Sequence, residues 1–493
     1  MKEKSGTGKG RKGDMVKGRA GDRENGRPAD TEKLITLSAM ISWPGRVISV
    51  VSRKLRAPLS YPRPVNSPLS VSAALLLSFG TFLLIAVLLI SVPANAQQPV
   101  RLIHADSLVG YTLNGDAYRE LVGHVQLEQD STTLSCDRAL QDLTRDSVSL
   151  YGNVHVNDDT LTLITQRAHY SGNTKTVTSH TPVYLNDRRR TLTANSGSYD
   201  AESKVAKFYG DVFVRDSSSW LKSDTLYYYR IPDSTVANGN VRIKSLDNNV
   251  TIYGAHFRDY GKKNYSRMTG RPLLVQVDTA SDGKIDTLMI TGKTMEAYRD
   301  SANERFVAED SVKIVRGSLS ARCGYGIYLS SDSLVILQKT PVVWYEDNQL
   351  SGDSIAVYIK NKNISSVFVS GAAFAVSQSD SLHTDRFNQL KGKQLTMYLH
   401  DRKVSRIIVE SNATSLYYLY DKNKPNGANK VSGDRVVMYF TDGKIDKISV
   451  INGVEGDYYP ENMVKDKSDS YNLAGFRYYR IRPLKKTMPD VWK

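Results

Sequence analysis

The sequence predicts an all-β fold: an elongated, semi-open β-jellyroll or solenoid of about ten tandem repeats of ~29 residues. Three observations predict it. Val125, Val154, Val183, Val212 and Val241 recur every 29 residues, and Leu134, Leu163, Leu192 and Leu221 keep the same spacing, with Val250 completing the column. Apolar and polar residues alternate over five to seven positions within each unit, the period of a half-buried strand. Between residues 97 and 460 no segment carries a convincing helical period.

The chain has 493 residues, with 66 Lys+Arg against 51 Asp+Glu and a net charge of +15. That charge is uneven. Residues 1–96 hold 15 basic and 6 acidic residues, so +9 of the excess sits there and only +6 on the rest. The repeats are therefore only mildly basic, and no basic stripe is interleaved with aromatics. Nucleic acid is thus not the expected partner. A mild surplus suits anionic lipid or sugar-phosphate ligands.

Residues 1–66 are rich in Lys, Arg, Gly, Ser and Pro and read as a basic, disordered leader. Residues 67–96 follow as a signal peptide or membrane anchor. Val71 to Val92 is almost wholly apolar, and Pro93, Ala94, Asn95 and Ala96 come next. A basic segment, an apolar core and a small-x-small site describe a secretory signal, which the Ala-Asn-Ala triplet favours. About 20 apolar residues also suffice to span a bilayer, so an inner-membrane anchor is the alternative. Either way the remainder is exported.

Residues 97–460 form the repeat domain. One unit reads Gly210, Val212, Val214, then Leu221, Asp224 and Tyr228. Gly152, Val154, Val156, Leu163 and Tyr170 match it, as do Gly239, Val241, Ile243 and Val250. In the third unit Thr181 and Pro182 replace the glycine, with Val183, Leu185, Leu192, Asn195 and Tyr199 retained. The glycine predicts a tight corner or bulge. After residue 262 the units loosen: Ser311 to Tyr328, Pro341 to Tyr358, then longer units from Gly371 and from about Glu410. Asp282 to Asp286 and Asp442 to Asp446 share the sequence Asp-Gly-Lys-Ile-Asp and read as hairpin turns. Residues 461–493 are a basic, irregular C-terminal tail that either packs over the end or remains mobile.

Cys136 and Cys323 are the only cysteines. They lie about six repeats apart, too far for a disulfide, so two unpaired buried thiols are expected. Two cysteines also exclude a CxxC-type metal site. The column Asp137, Gln166, Asn195 and Asp224 mixes carboxylates with amides, which fits side chains that cap turns better than a calcium ladder. The eight histidines are scattered, with no HExxH or GxSxG, and no nucleophile, base and acid assemble. No enzyme activity, cofactor, catalytic residue or metal ligand is expected.

The tandem Gly-x-Val-x-Val, Leu-x-x-Asp-x-x-x-Tyr unit, placed behind an export signal, resembles the OstA/LptA-like family of lipopolysaccharide-transport proteins. The resemblance covers roughly residues 100–455 and rests on the repeat register rather than on one motif. It implies a V-shaped β-jellyroll whose apolar interior shields acyl chains on the way to the outer membrane. It also implies a periplasmic or outer-membrane-associated location, and partner proteins added strand to strand at the two ends. The candidates for those ends are Val100–Leu108 and Lys447–Val454. The expected lipid-lining residues are Val125, Leu134, Val154, Leu163, Val183, Leu192, Val212, Leu221, Val241 and Val250, with outward neighbours such as His155 left in water. The same columns are what any closed solenoid core needs, so a structural, adhesin-like repeat protein or a carbohydrate-active solenoid at the envelope are the alternatives.

Overall fold

The structure is a computed structural model. It describes residues 101–489 apart from short stretches at 130–131, 159–160, 189, 201, 247–248, 280–284, 300–303, 330, 361–362, 380–381, 402, 422–423 and 442–443. The leader and the apolar segment, residues 1–96, lie outside the described residues, as does Val100.

Thirty strands join into one antiparallel sheet. A twelve-residue strand, Ser147–Asp158, an eleven-residue strand, Leu161–Ser171, and two short turns account for the 29-residue period. Each repeat is therefore a hairpin, and the next repeat pairs with its returning strand. Short antiparallel hairpins need no crossover, so the sheet grows one strand at a time in chain order.

The long strands shift register at a corner that recurs from unit to unit, and two late pairings shift a second time near a turn. In the first repeat Val122 pairs with Arg138 and Val125 with Cys136, so Gly123 and His124 oppose the single residue Asp137. Both have positive φ, 79° and 44°. Gly152 and Asn153, Gly210 and Asp211, and Gly239 and Asn240 repeat the pair. Two left-handed residues against one make a bulge, which bends a strand sharply. Gly is needed at the first position because a Cβ there collides with the side chain across the bulge: Asp137 at Gly152, Asn195 at Gly210, Asp224 at Gly239. The Asp/Asn column thus sits over the corners, and Asn153 and Asn240 donate to Asp137 and Asp224 at 3.1 and 3.0 Å.

The third repeat reaches the corner by other chemistry. Thr165 Oγ1 lies 2.8 Å from Ser179 Oγ and 2.9 Å from Thr181 Oγ1, and donates to the Pro182 carbonyl at 3.0 Å. The Arg167 amide donates to Thr181 Oγ1 at 3.1 Å. Hydroxyls there replace the glycine and its Asx partner. Later corners use Gly270 and Arg271, Asp310 and Ser311, Lys339 and Thr340, Gly371 and Ala372, Ser411 and Asn412, and Asn452 and Gly453. The spacing stretches where a hairpin is longer, as for Leu273–Thr279 paired with Ile285–Thr291. That pairing, and Thr441 with Lys444, bring together the strands on either side of the two Asp-Gly-Lys-Ile-Asp segments, whose expected turns at 282–284 and 442–443 lie outside the described residues.

The bends divide every repeat into two walls. Residues after a left-handed pair and the strand returning to it, such as 125–129 and 132–136, form the front wall. Residues such as 117–122 and 138–142 form the rear wall. Inward side chains of both walls fall into shared clusters. One joins Leu121, Ala139, Leu150 and Ala168 of the rear wall to Val125, Cys136 and Val154 of the front. A larger one continues this packing from Val183 to Met438.

Residues 461–489 leave the sheet and run back along the outer face of the front wall. Gly427 N donates to Glu461 at 3.2 Å, and Arg386 pairs with Glu461 at 2.7 Å. Further on, Leu473 N and Tyr479 N donate to Gln389 and Gln349 at 2.9 and 2.8 Å. Trp344 Nε1 donates to the Tyr479 carbonyl, and Arg322 stacks on the Tyr479 ring. Met488 finally packs on Leu273, Val275, Met289 and Val315. The tail is a strap over the outer face of these repeats. The segment lies along the outer face of the repeats rather than over their end alone.

Candidate functional site

The inward face of the two walls is the candidate site, and its character changes along the chain. Every inward row begins at the corner. Val125, Val154, Val183, Val212 and Val241 occupy the position next to the bend and are between 0 and 4 % exposed. They sit at the apex, where the walls meet, and fill it. The second column stands farther from the apex. Leu134 and Leu163 are half-buried, whereas Leu192, Leu221 and Val250 are buried. The ten residues predicted from the sequence thus all face inward, at two depths.

In the first three repeats the interior beyond the apex is open. Leu127, Leu134, Val156 and Leu163 of the front wall, and Val148, Tyr170 and Val177 of the rear wall, are half-buried. They form an apolar trough whose bottom is the valine apex. His155 faces outward between them and is also half-buried.

From about residue 187 to 300 the trough is filled by polar side chains from both walls. Arg190 ends a front-wall turn. Burial pushes its guanidinium below the ordinary arginine range, while Asp187 and Asp216 on its own wall and Tyr228 and Asp233 on the other pull it back. Asp233 accepts a hydrogen bond from Tyr228 Oη at 3.4 Å, and its carboxyl is pushed up by burial. Deeper in, Asp259 accepts from Ser266 Oγ at 2.7 Å and pairs with Arg299 at 2.8 Å. Arg299 also contacts Ser266 Oγ. Ser219, Ser245 and Gln276 face this cluster from the front wall and are buried. Thr235 and Ser223 are buried too, and their hydroxyls have no hydrogen-bond partner among the described residues. A polar band therefore lies across an otherwise apolar interior. Its members come from five strands and four of the connections between strands, so no local motif announced it. The available signal was parity: Asp259 and Ser266 stand two residues from the inward Phe257 and Met268.

Among the described residues the sheet has two edges without a further partner strand. Arg101–His104 and Ser107–Leu113 pair on one side only, with the strand Asp116–Gln129, and are exposed throughout. Leu102, Ile103, Leu108, Val109, Tyr111 and Leu113 project from them. At the other end Lys444–Ile451 and Glu455–Tyr459 pair only with Lys424–Thr441. Ile448, Ile451, Val454 and Tyr458 are exposed there. These strands overlap the two end segments expected from the sequence.

Cys136 and Cys323 are free and buried among inward residues. Burial pushes both thiols up to about 11. Twelve strand steps separate them, on the order of 60 Å at the usual strand spacing.

Fold and site together define an all-β repeat protein with an internal apolar trough. Residues 97–253 match the family model described as OstA-like protein, and residues 191–363 match that described as LptA/(LptD N-terminal domain) LPS transport protein. Residues 97–363 are thus similar to the OstA/LptA-like lipopolysaccharide-transport family. No curated protein sequence matches it. Among solved structures, it is similar to LptH from Pseudomonas aeruginosa, the LptA-homologous periplasmic component of a lipopolysaccharide transport device. The identity is 10 %, the match covers 29 % of this chain and 95 % of that one, and the TM-score is 0.23.

Proposed function

We propose that this protein is a non-enzymatic carrier or bridge that holds the acyl chains of lipopolysaccharide in its trough during transport to the outer membrane. One observation carries the reading: the half-buried apolar rows of the first three repeats, Leu127, Leu134, Val156 and Leu163 facing Val148 and Val177. Each acyl CH₂ moved from water onto such a surface gains about 0.8 kcal/mol. Because the rows repeat, successive positions offer nearly the same gain, so a chain can advance without leaving a deep minimum. The family matches support the same assignment.

In this reading the chain works in the periplasm or against the outer membrane, carried there by its N-terminal signal. Other envelope transport components add to the free edges at Arg101–Leu113 and Lys444–Tyr459 by main-chain pairing, and the exposed aliphatic side chains set which strand fits. No cofactor is involved.

The test is site-specific photocrosslinking in cells that make lipopolysaccharide. A crosslinker at Leu163 or Val156 is expected to capture it, and one at Arg138, on the outer face, is not. Equal capture at inward and outward positions contradicts the proposal. A proline at Leu108, whose N–H lies on the unpaired side of its strand, is expected to weaken partner association while leaving lipid capture intact.

A further inference from the structure

Beyond the polar band the walls part again around a cavity of about 340 Å³. Leu288, Ile290 and Ile314 line it from the front wall, and Phe306, Ala308 and Val357 from the rear. Asp286 and Arg316, paired at 2.7 Å and both partly exposed, stand at its rim next to the turn at Gly317 and Ser318. The rest of the lining is apolar apart from Tyr345, Asn363 and Tyr328. Tyr328 reaches into it from the rear wall, two residues before the turn that closes that rim. The ring is buried, and its hydroxyl has no hydrogen-bond partner among the described residues. Burial also pushes that phenol above its ordinary range.

A cavity of this kind has a definite size of occupant. An apolar cavity of roughly 150 Å³ holds benzene, so this one encloses about a dozen carbons, the greater part of one long acyl chain. That is one tail, not the several tails of a whole lipopolysaccharide. A buried hydroxyl facing apolar walls is costly unless something accepts from it. An acyl chain supplies one acceptor at its head end, the carbonyl oxygen, and methylenes for the rest. The polar rim leaves the headgroup in water.

We propose that this chamber is a second lipid site, separated from the open trough by the polar band, that takes one unbranched acyl chain with its carbonyl oxygen accepting from Tyr328. The inference rests on reading the interior as a lipid compartment. A fatty acid and a lysophospholipid both carry that chemistry.

The experiment uses the full chain and cis-parinaric acid, an 18-carbon fluorescent fatty acid. One molecule binds per protein. Tyr328→Phe, which keeps the ring and loses the hydroxyl, weakens binding about tenfold and raises the unfolding temperature of the ligand-free protein. Ala321→Trp fills the chamber and abolishes binding. Arg138→Ala, on the outer face, changes nothing. Displacement by palmitoyl lysophosphatidylglycerol but not by palmitate assigns the site to lysophospholipid, and the reverse to free acid. Lipopolysaccharide leaves the probe in place. Parinarate binding unaffected by both Tyr328→Phe and Ala321→Trp overturns the proposal, as does stoichiometric expulsion of the probe by lipopolysaccharide. If instead crosslinking at Leu163 fails while parinarate obeys the variants, the chamber stands and the trough reading falls.

Discussion

Asp137 roofs Gly152: its carboxylate occupies the space a Cβ at position 152 would need, and it accepts from Asn153 Nδ2 at 3.1 Å. Gly152 itself has φ +71°. Two costs therefore meet in Gly152→Ala, the left-handed conformation and the collision. Together they are expected to destabilise the protein by about 2–4 kcal/mol. Adding Asp137→Gly, which removes the carboxylate and the Cβ behind it, is expected to return the steric part only, leaving roughly 1–2 kcal/mol from the left-handed conformation. Urea unfolding of the two single variants and the double variant measures this. A double variant as unstable as the sum of the singles contradicts the arrangement.

The polar band predicts a strong asymmetry among ion pairs. Asp259 and Arg299 are both nearly enclosed, and Arg101 and Glu128 are exposed. Arg299→Leu strands a buried carboxylate and is expected to cost about 3–5 kcal/mol. Glu128→Gln is expected to cost less than about 1 kcal/mol. Thermal unfolding distinguishes them, and similar small losses at both sites contradict the burial of the pair.

Acid is expected to loosen the strap. Arg386 holds the Glu461 carboxyl below its ordinary value, and Ser468 does the same for Asp385. Both folded values are depressed, so this stabilisation is present above the unfolded carboxylate range and is lost as pH falls through the folded values, below about pH 4. The strap covers Trp344, Phe374, Phe387 and Tyr418. Dye binding to exposed apolar surface should rise below pH 4 in the native chain. It should rise already at pH 7 in a chain ended after residue 460. No increase in either case means the strap is not what covers this face.

Alkali acts on the cysteines with the opposite sign. Burial lifts the Cys136 and Cys323 thiols to about 11, above the ordinary cysteine range. A raised value favours the protonated folded form, so this contribution is complete below the unfolded value and fades between about pH 9 and 11. At pH 8 both thiols are expected to resist iodoacetamide until the protein unfolds, with peptide mass spectrometry locating the label. Rapid native labelling of either contradicts the burial.

How much of this was legible in the sequence depends on whether one strand or several decide the outcome. The corner was legible, because Gly152 and Asp137 recur at a fixed spacing and one bulge needs both. The inward parity of Val154 and Leu163 was legible for the same reason. Depth was not. Val154 seals the apex and Leu163 stays half-buried because the walls diverge, and their separation is a property of both walls at once. The polar band escaped notice because Arg190, Asp233, Asp259 and Arg299 come from different strands and turns. The strap escaped because its contacts, such as Tyr479 with Gln349, span about 130 positions without any repeat.

The central claim is that acyl chains reach the inward face of the first repeats. Thiol accessibility tests it most directly: Leu163→Cys in the full chain carrying Cys136→Ala and Cys323→Ala, treated with a water-soluble maleimide. The account predicts ready labelling in the free protein and protection once lipopolysaccharide is bound, with Arg138→Cys labelled equally in both states. Labelling at Leu163→Cys that lipopolysaccharide leaves unchanged, or no labelling at all, contradicts it.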